Sequence, residues 1–352
     1  MEVHFETCRY IVGRLVFCLW LCSMPTPAAA EPVRLIFDTD MGNDVDDAMA
    51  LSMIHALQNR GECELLAVTV TKDNPYAAPF VDLMNTFYGR GGIPIGVVRK
   101  GVTPEDGKYN RAVVTATASG GGQRYPHDLK SGKDAPDAVA VLRKTLAAQP
   151  DNSVVIAMVG FSTNMARLLA SGPDAVSPLP GTELVRRKVR LLSAMAGGYT
   201  EDLTKKRYKE YNIVRDIRSA QKVFAEWPAP IVASGWEIGN AILHPAVSMR
   251  EDYGYAGHHP LVEAYQYYRG LSNDQPTYDL TSVLYAVRPN RDYFALSGPG
   301  RIIVEPDGFT RFESASGGQH RYLRVGNDQI IRVREAQALL CSEPPRTLKL
   351  KQ

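Results

Sequence analysis

Short apolar runs that alternate with helical patterns limit this chain to few folds. The runs are Val33–Phe37, Leu65–Val70, Ile93–Val98, Val154–Val159, Val189–Ala194 and Pro230–Ala233, with Val and Ile frequent among them. Continuous runs of this length suit strands buried on both faces. Between them, Ala48–Leu57, Phe80–Tyr88, Asp137–Ala147, Met165–Leu169 and Ile217–Phe224 carry helical spacing. Parallel neighbours need long crossovers, which are usually helical. The alternation therefore predicts an α/β fold: an open, mostly parallel sheet flanked by helices on both sides. In such sheets ligands bind at the carboxyl ends of the strands. The residues that follow each run are the ones to read for chemistry.

Two stretches break the alternation. Residues 99–136 are rich in Gly, Pro and Thr, and read as long loops that form either a functional lid or an insertion. Their cluster Ser119-Gly120-Gly121-Gly122 lacks the Lys-Ser/Thr and the preceding strand of a phosphate loop. Beyond Ser297, Arg301–Glu305 and Gln329–Val333 read as strands, with a turn at Pro306-Asp307-Gly308. Residues 301–345 are thus predicted as a small C-terminal β appendage on one domain, 31–352.

Residues 1–30 read as a signal peptide: Arg9 and Arg14, the apolar run Leu15–Cys22, then Ala28-Ala29-Ala30. The run is too short to span a bilayer, so a secreted or periplasmic protein is expected. Cys63 and Cys341 remain after cleavage, too few for a disulfide framework, and their pairing stays open. A net charge of +2 gives no argument for nucleic acid or a membrane surface as partner. The 45% hydrophobic content supplies one large core.

The chemistry concentrates after the first run. Asp38, Asp40, Asp44, Asp46 and Asp47 fall within ten positions, and the last two open a helix. A lone aspartate there would be a cap, favoured by the helix dipole by about 0.3–1 kcal/mol. Capping leaves the other four unexplained, because crowded carboxylates repel and burying them unpaired is costly. A divalent cation resolves the conflict. All-oxygen ligation points to Ca²⁺ or Mg²⁺, and Ca²⁺ takes more protein oxygens in looser geometry.

Asp38-Thr39-Asp40-Met41-Gly42, followed by Asp46-Asp47-Ala48-Met49-Ala50-Leu51, resembles the signature of the inosine–uridine-preferring nucleoside hydrolases, with two extra residues in the turn. Further segments resemble the family in order: Val70-Thr71-Lys72-Asp73-Asn74, Val159-Gly160-Phe161-Ser162-Thr163-Asn164, Glu210-Tyr211-Asn212 with Asp216, and Tyr278-Asp279. The likeness spans roughly residues 33–290. It implies a calcium ion held by Asp40, Asp47, Asp279 and the Thr163 carbonyl. It implies ribose hydroxyls held by Asp46, Asn74, Glu210 and Asn212. The lengthened turn leaves Asp44 as the alternative to Asp46, which the register into the helix favours. The implied reaction is hydrolysis of a ribonucleoside to base and ribose. A calcium-activated water attacks through an oxocarbenium-like state, and Asp40 and Asp46 act as catalytic carboxylates. Relatives are commonly oligomeric, so a homo-oligomer is implied as well.

The leaving-group side departs from the family. Tyr278 stands where a histidine is expected, and the histidine-glycine loop after the third strand is replaced by residues 111–122. His127 reads as a solvated loop residue, and His258-His259 as either a lid element or a surface pair. Trp236 either stacks on the base or packs in the core, whereas Trp227 reads as core. Tyr199, Tyr208 and Tyr211 are candidates for the base pocket. Two rivals stand beside this reading. One is a calcium- and ribose-binding homologue with impaired catalysis. The other is a haloacid-dehalogenase-type phosphatase, which also carries Asp-x-Asp after its first strand.

Overall fold

β1 (Val33–Thr39) is the centre of the molecule, paired in parallel with β2 (Cys63–Val70) on one side and β4 (Val154–Met158) on the other. β3 (Ile95–Val97) lies outside β2, and β5 (Val189–Met195) and β6 (Ile231–Ser234) continue beyond β4. The parallel order is therefore 3-2-1-4-5-6, and it reverses between β1 and β4. A crevice opens at the carboxyl ends of two such strands because their crossovers leave to opposite faces. All six predicted strands are present within a residue or two of their expected ends. This computed structural model describes residue 2 and residues 31–346; apart from residue 2 the expected signal peptide lies outside the described residues.

Five helices bear on the crevice: α1 (Asp46–Asn59), α2 (Thr163–Ala170), α3 (Tyr211–Arg215), α4 (Trp236–Ala241) and α5 (Tyr278–Val287). α1 and α5 pack against each other, and nearly every residue of both is buried. Each carries aspartate in its first turn, where the helix dipole favours negative charge. Packing the two helices together brings those first turns to one place.

The C-terminal segment carries the expected strands, with one correction to the sequence reading. β7 (Gly300–Val304), β8 (Thr310–Ser314) and β9 (His320–Arg324) extend the main sheet, with β9 parallel to β6 and β7 and β8 antiparallel beyond it. Gln329–Val333, read as a strand, lies inside α6 (Asn327–Cys341). Its β-branched residues suggest a strand, but Val333, Gln337, Leu340 and Cys341 are buried at helical spacing. The Gln329 side chain accepts a hydrogen bond from the Gly326 N–H, which starts the helix. Cys63 and Cys341 are both buried and unpaired with each other, and burial raises both thiols. Residues 99–136 contain the short helix Asn110–Val114, and a bridge from Thr117 to Gln123 closes the exposed glycine turn.

Candidate active site

The acidic turn leaves β1 at the crevice and is held there by main-chain bonds. Thr71 N–H donates to Thr39 O at 2.8 Å, and Val159 N–H donates to Asp38 O at 2.7 Å. Asp38 lies below the crevice and accepts from Thr69 Oγ1 at 2.5 Å and Asn164 Nδ2 at 2.8 Å. Burial still raises its carboxyl to about 7. Asp44, Asp46, Asp47 and Asp279 each bring one carboxylate oxygen within 4.8 Å of the others. The Asp279 N–H donates to Asp46 Oδ2 at 3.1 Å, which ties the two helix starts together. Thr39 Oγ1 donates to Asp47.

These carboxylates are out of balance with their surroundings. Asp46 Oδ1, Asp47 Oδ2 and Asp279 Oδ2 are buried without a hydrogen-bond partner. Desolvation raises Asp46 to about 7, Asp40 to about 6, and Asp44, Asp47 and Asp279 well above the usual range. Partnerless buried oxygens that converge on one point are what an oxygen-liganded divalent cation needs. The residues present fit such an ion.

Beside the cluster lies a cavity of about 460 Å³, a size suited to a small ligand. Asp40, Asp44 and Asp279 line one side, and Glu210 and Asn212 line another. Glu210 caps α3, accepting from the Asn212 and Ile213 N–H groups at 2.7 and 3.1 Å, and burial raises it to about 7. Asn212 Nδ2 donates to Val159 O at 2.8 Å. Trp236 and Tyr278 form an aromatic wall, with near-parallel rings 24° apart in plane and 6.4 Å between centroids. Tyr208 tilts against Trp236 at 5.0 Å.

Most of the sequence-predicted residues meet here, but three placements differ. Thr163 does not line the cavity. It begins α2, where its carbonyl belongs to the helix ladder, and its hydroxyl donates to Asp216 Oδ2 at 2.5 Å. At this end of β4 it is Val159 that lines the cavity, and its carbonyl accepts from the Asn212 amide. Asn74 is also displaced: its amide donates to Pro104 O and Asp106 Oδ1, both at 3.0 Å, and its oxygen accepts from Tyr76 N–H. Asp46 sits beneath the surface in the carboxylate cluster, and Asp44 lines the cavity instead.

The histidines stand apart from this wall. His127 is buried, donating to Tyr125 O at 2.7 Å with Gln123 at its other nitrogen. His259 caps the helix Pro260–Tyr268 inside an aromatic cluster, and His258 faces Glu263. Tyr199 stacks on Tyr322, and Trp227 is core.

Sequence reasoning left residues 99–136 open between a lid and an insertion, and singled out none of their residues that line the cavity. Glu105, Asp106, Gly107 and Lys108 line the cavity, as do Lys72 and Asn43. Tyr109 Oη donates to Asp44 O at 2.9 Å, and Asn110 Nδ2 to Met41 O at 3.0 Å, so the loop is docked on the acidic turn. Its charged Glu-Asp-Gly-Lys run was the available signal. The docking requires glycine at 107, where a Cβ would fall 2.0 Å from Gly42 O. Gly107→Ala is expected to lift the loop and lower kcat/KM by about 10²-fold, as ångström-scale misplacement does. Steady-state kinetics beside a melting curve check this; unchanged kcat/KM would show that the loop has no part in the site.

A doubly wound sheet with a carboxylate-walled cavity at its switch point defines a ligand-binding α/β protein with room for a cation. The chain belongs to the inosine-uridine preferring nucleoside hydrolase family, which it matches over residues 35–330. It is a hydrolase acting on N-glycosyl compounds, and the phosphatase rival falls away. Among solved structures it is similar to the inosine-uridine preferring nucleoside hydrolase of Bacillus anthracis, at 17% identity over 88% of this chain and 99% of that one, with a TM-score of 0.64. The purine-preferring ribonucleoside hydrolase of Gardnerella vaginalis is similar at 16% identity, 88% and 99% coverage, and a TM-score of 0.62. A plant nucleoside hydrolase is similar at 19% identity, 89% and 100% coverage, and a TM-score of 0.63. At these identities the likeness shows the fold. No curated protein matches the chain in sequence.

Proposed function

We propose that this protein hydrolyses the N-glycosidic bond of ribonucleosides to free base and ribose, with a calcium ion in the carboxylate cluster. The leader pattern of residues 1–30 supports a secreted or periplasmic setting. The observation that carries the reading is the set of buried, partnerless oxygens on Asp46, Asp47 and Asp279, beside a cavity walled by Glu210, Asn212 and Trp236. Asp47 and Asp279, with Asp40 next to them, would hold the ion, and the Val159 carbonyl is the main-chain oxygen at hand. When bound, it supplies an anchor for two ribose hydroxyls and a more acidic water.

The remaining work falls to the protein's own groups. Asp40 is placed to take the proton of the attacking water. Departure of the base builds positive charge on the ribosyl ring. Asp44 and Glu210, preset around the cavity, stabilise that charge as it forms. Asn212 fixes a sugar hydroxyl, and Trp236 and Tyr278 offer aromatic faces to a planar base.

Reducing-sugar release from a panel of nucleosides, with and without a chelator, tests the reading. Sugar and free base in equal amounts, lost on chelation, are expected. Tight ribose binding without turnover would favour the impaired homologue, for which Tyr278 in place of a histidine is the motivating feature.

A further inference from the structure

Lys72 follows β2 with its side chain fully buried, and the proposed reaction gives it no task. Its ammonium donates to Asn43 Oδ1 at 2.8 Å and to Thr103 O at 2.7 Å. An ammonium can only donate, so the Asn43 amide must present its oxygen to Lys72. Its nitrogen then points the other way, to Asp40 Oδ2, at 2.6 Å. Asn43 lies in the lengthened part of the acidic turn, and Thr103 belongs to the covering loop, where its backbone is left-handed at φ 52°. One buried cation therefore joins the loop, the turn and Asp40.

We propose that Lys72 and Asn43 form a strut that orients the Asp40 carboxylate, so that both are positioning residues for the hydrolysis. The proposal rests on the functional reading above, in which Asp40 takes a proton and sits by the cation. The extra turn residues supply Asn43, and Lys72 fixes which way its amide faces. The competing role for Lys72 is charge balance alone: a cation near Asp40, Asp47 and Glu105 that needs no Asn43. Connectivity separates the two. A strut fails wherever it is cut, whereas charge balance survives the loss of a neutral amide.

The test compares Asn43→Ala, Lys72→Met and the double variant in the full chain, reading kcat, KM and calcium affinity by isothermal titration calorimetry. Each single change is expected to lower kcat about 10–100-fold with KM within about threefold. It is also expected to weaken calcium binding by about tenfold. The double variant is expected to be no worse than Lys72→Met, because both act through one carboxylate. Wild-type kcat in Asn43→Ala, or a double variant equal to the product of the singles, overturns the strut. Asn43 is only half-buried, so its variants test the idea even if Lys72→Met does not fold. Asn43→Asp, which replaces the donor to Asp40 by a like charge, must then lose as much as Asn43→Ala. Wild-type protein without turnover sinks the functional reading instead. Calcium affinity then decides the strut: about tenfold weakening in Asn43→Ala keeps it, and unchanged affinity ends it.

Discussion

Chelation is expected to abolish nucleoside hydrolysis, and to leave a protein whose stability falls as pH rises. Without a cation, burial raises Asp38 and Asp46 to about 7 and Asp40 to about 6, against 3.8 for an ordinary aspartate. A carboxyl with a higher pKa folded than unfolded holds its proton more tightly in the fold. Its stabilising contribution is full below about pH 4 and is lost as pH climbs to about 7, at about 1.4 kcal/mol per proton per pH unit. The melting temperature of chelated protein should therefore drop by on the order of several degrees from about pH 5 to about pH 7.5. A bound divalent cation removes the reason for those protons, and stabilises the fold by mass action. The gap between calcium-loaded and chelated melting temperatures should accordingly widen with pH. Scanning calorimetry at several pH values, in calcium and in chelator, measures it. A gap that stays constant or narrows would mean that the carboxylates are balanced in some other way. Full turnover in chelator would remove the metal from the reaction.

Strands β1 to β6 were legible because they are covered on both faces, which leaves continuous apolar runs in the sequence. α5 was harder to read, since nearly every residue from Tyr278 to Val287 is buried and no polar stripe marks the helical period. α6 was misread because Ile330, Ile331 and Val333 look like a strand when taken alone. The acidic turn announced itself by charge density. The main-chain ligand proposed at Val159 did not, because any residue can offer a carbonyl, and Thr163 was the more conspicuous residue of its segment. Asn74 was assigned to the sugar by its motif, yet it spends both amide hydrogens holding residues 104 and 106. Lys72 was in plain view within a quoted motif. Its meaning depends on Asn43 and Thr103, and only the fold brings those three together.

Replacing Asp40 by asparagine should cost the most of any single side-chain change, with kcat lowered about 10³–10⁴-fold. Asparagine matches aspartate in size and keeps a carbonyl oxygen for the Asn43 amide, so the turn should hold its course. What it loses is the ability to take a proton, together with one negative charge beside Asp47 and Asp279. Loss of the base alone accounts for about 10²–10⁴-fold, and the missing charge loosens the cation as well. High calcium is therefore expected to recover cation binding in Asp40→Asn but not the rate. That split tells a base from a ligand: a pure ligand would be rescued in both. Single-turnover rates at saturating calcium, with melting curves to confirm the fold, give the answer. If Asp40→Asn kept more than about a tenth of the wild-type rate under those conditions, proton transfer would have to be assigned to another carboxylate of the cavity. Asp44, which lines the same wall, would be the next to change.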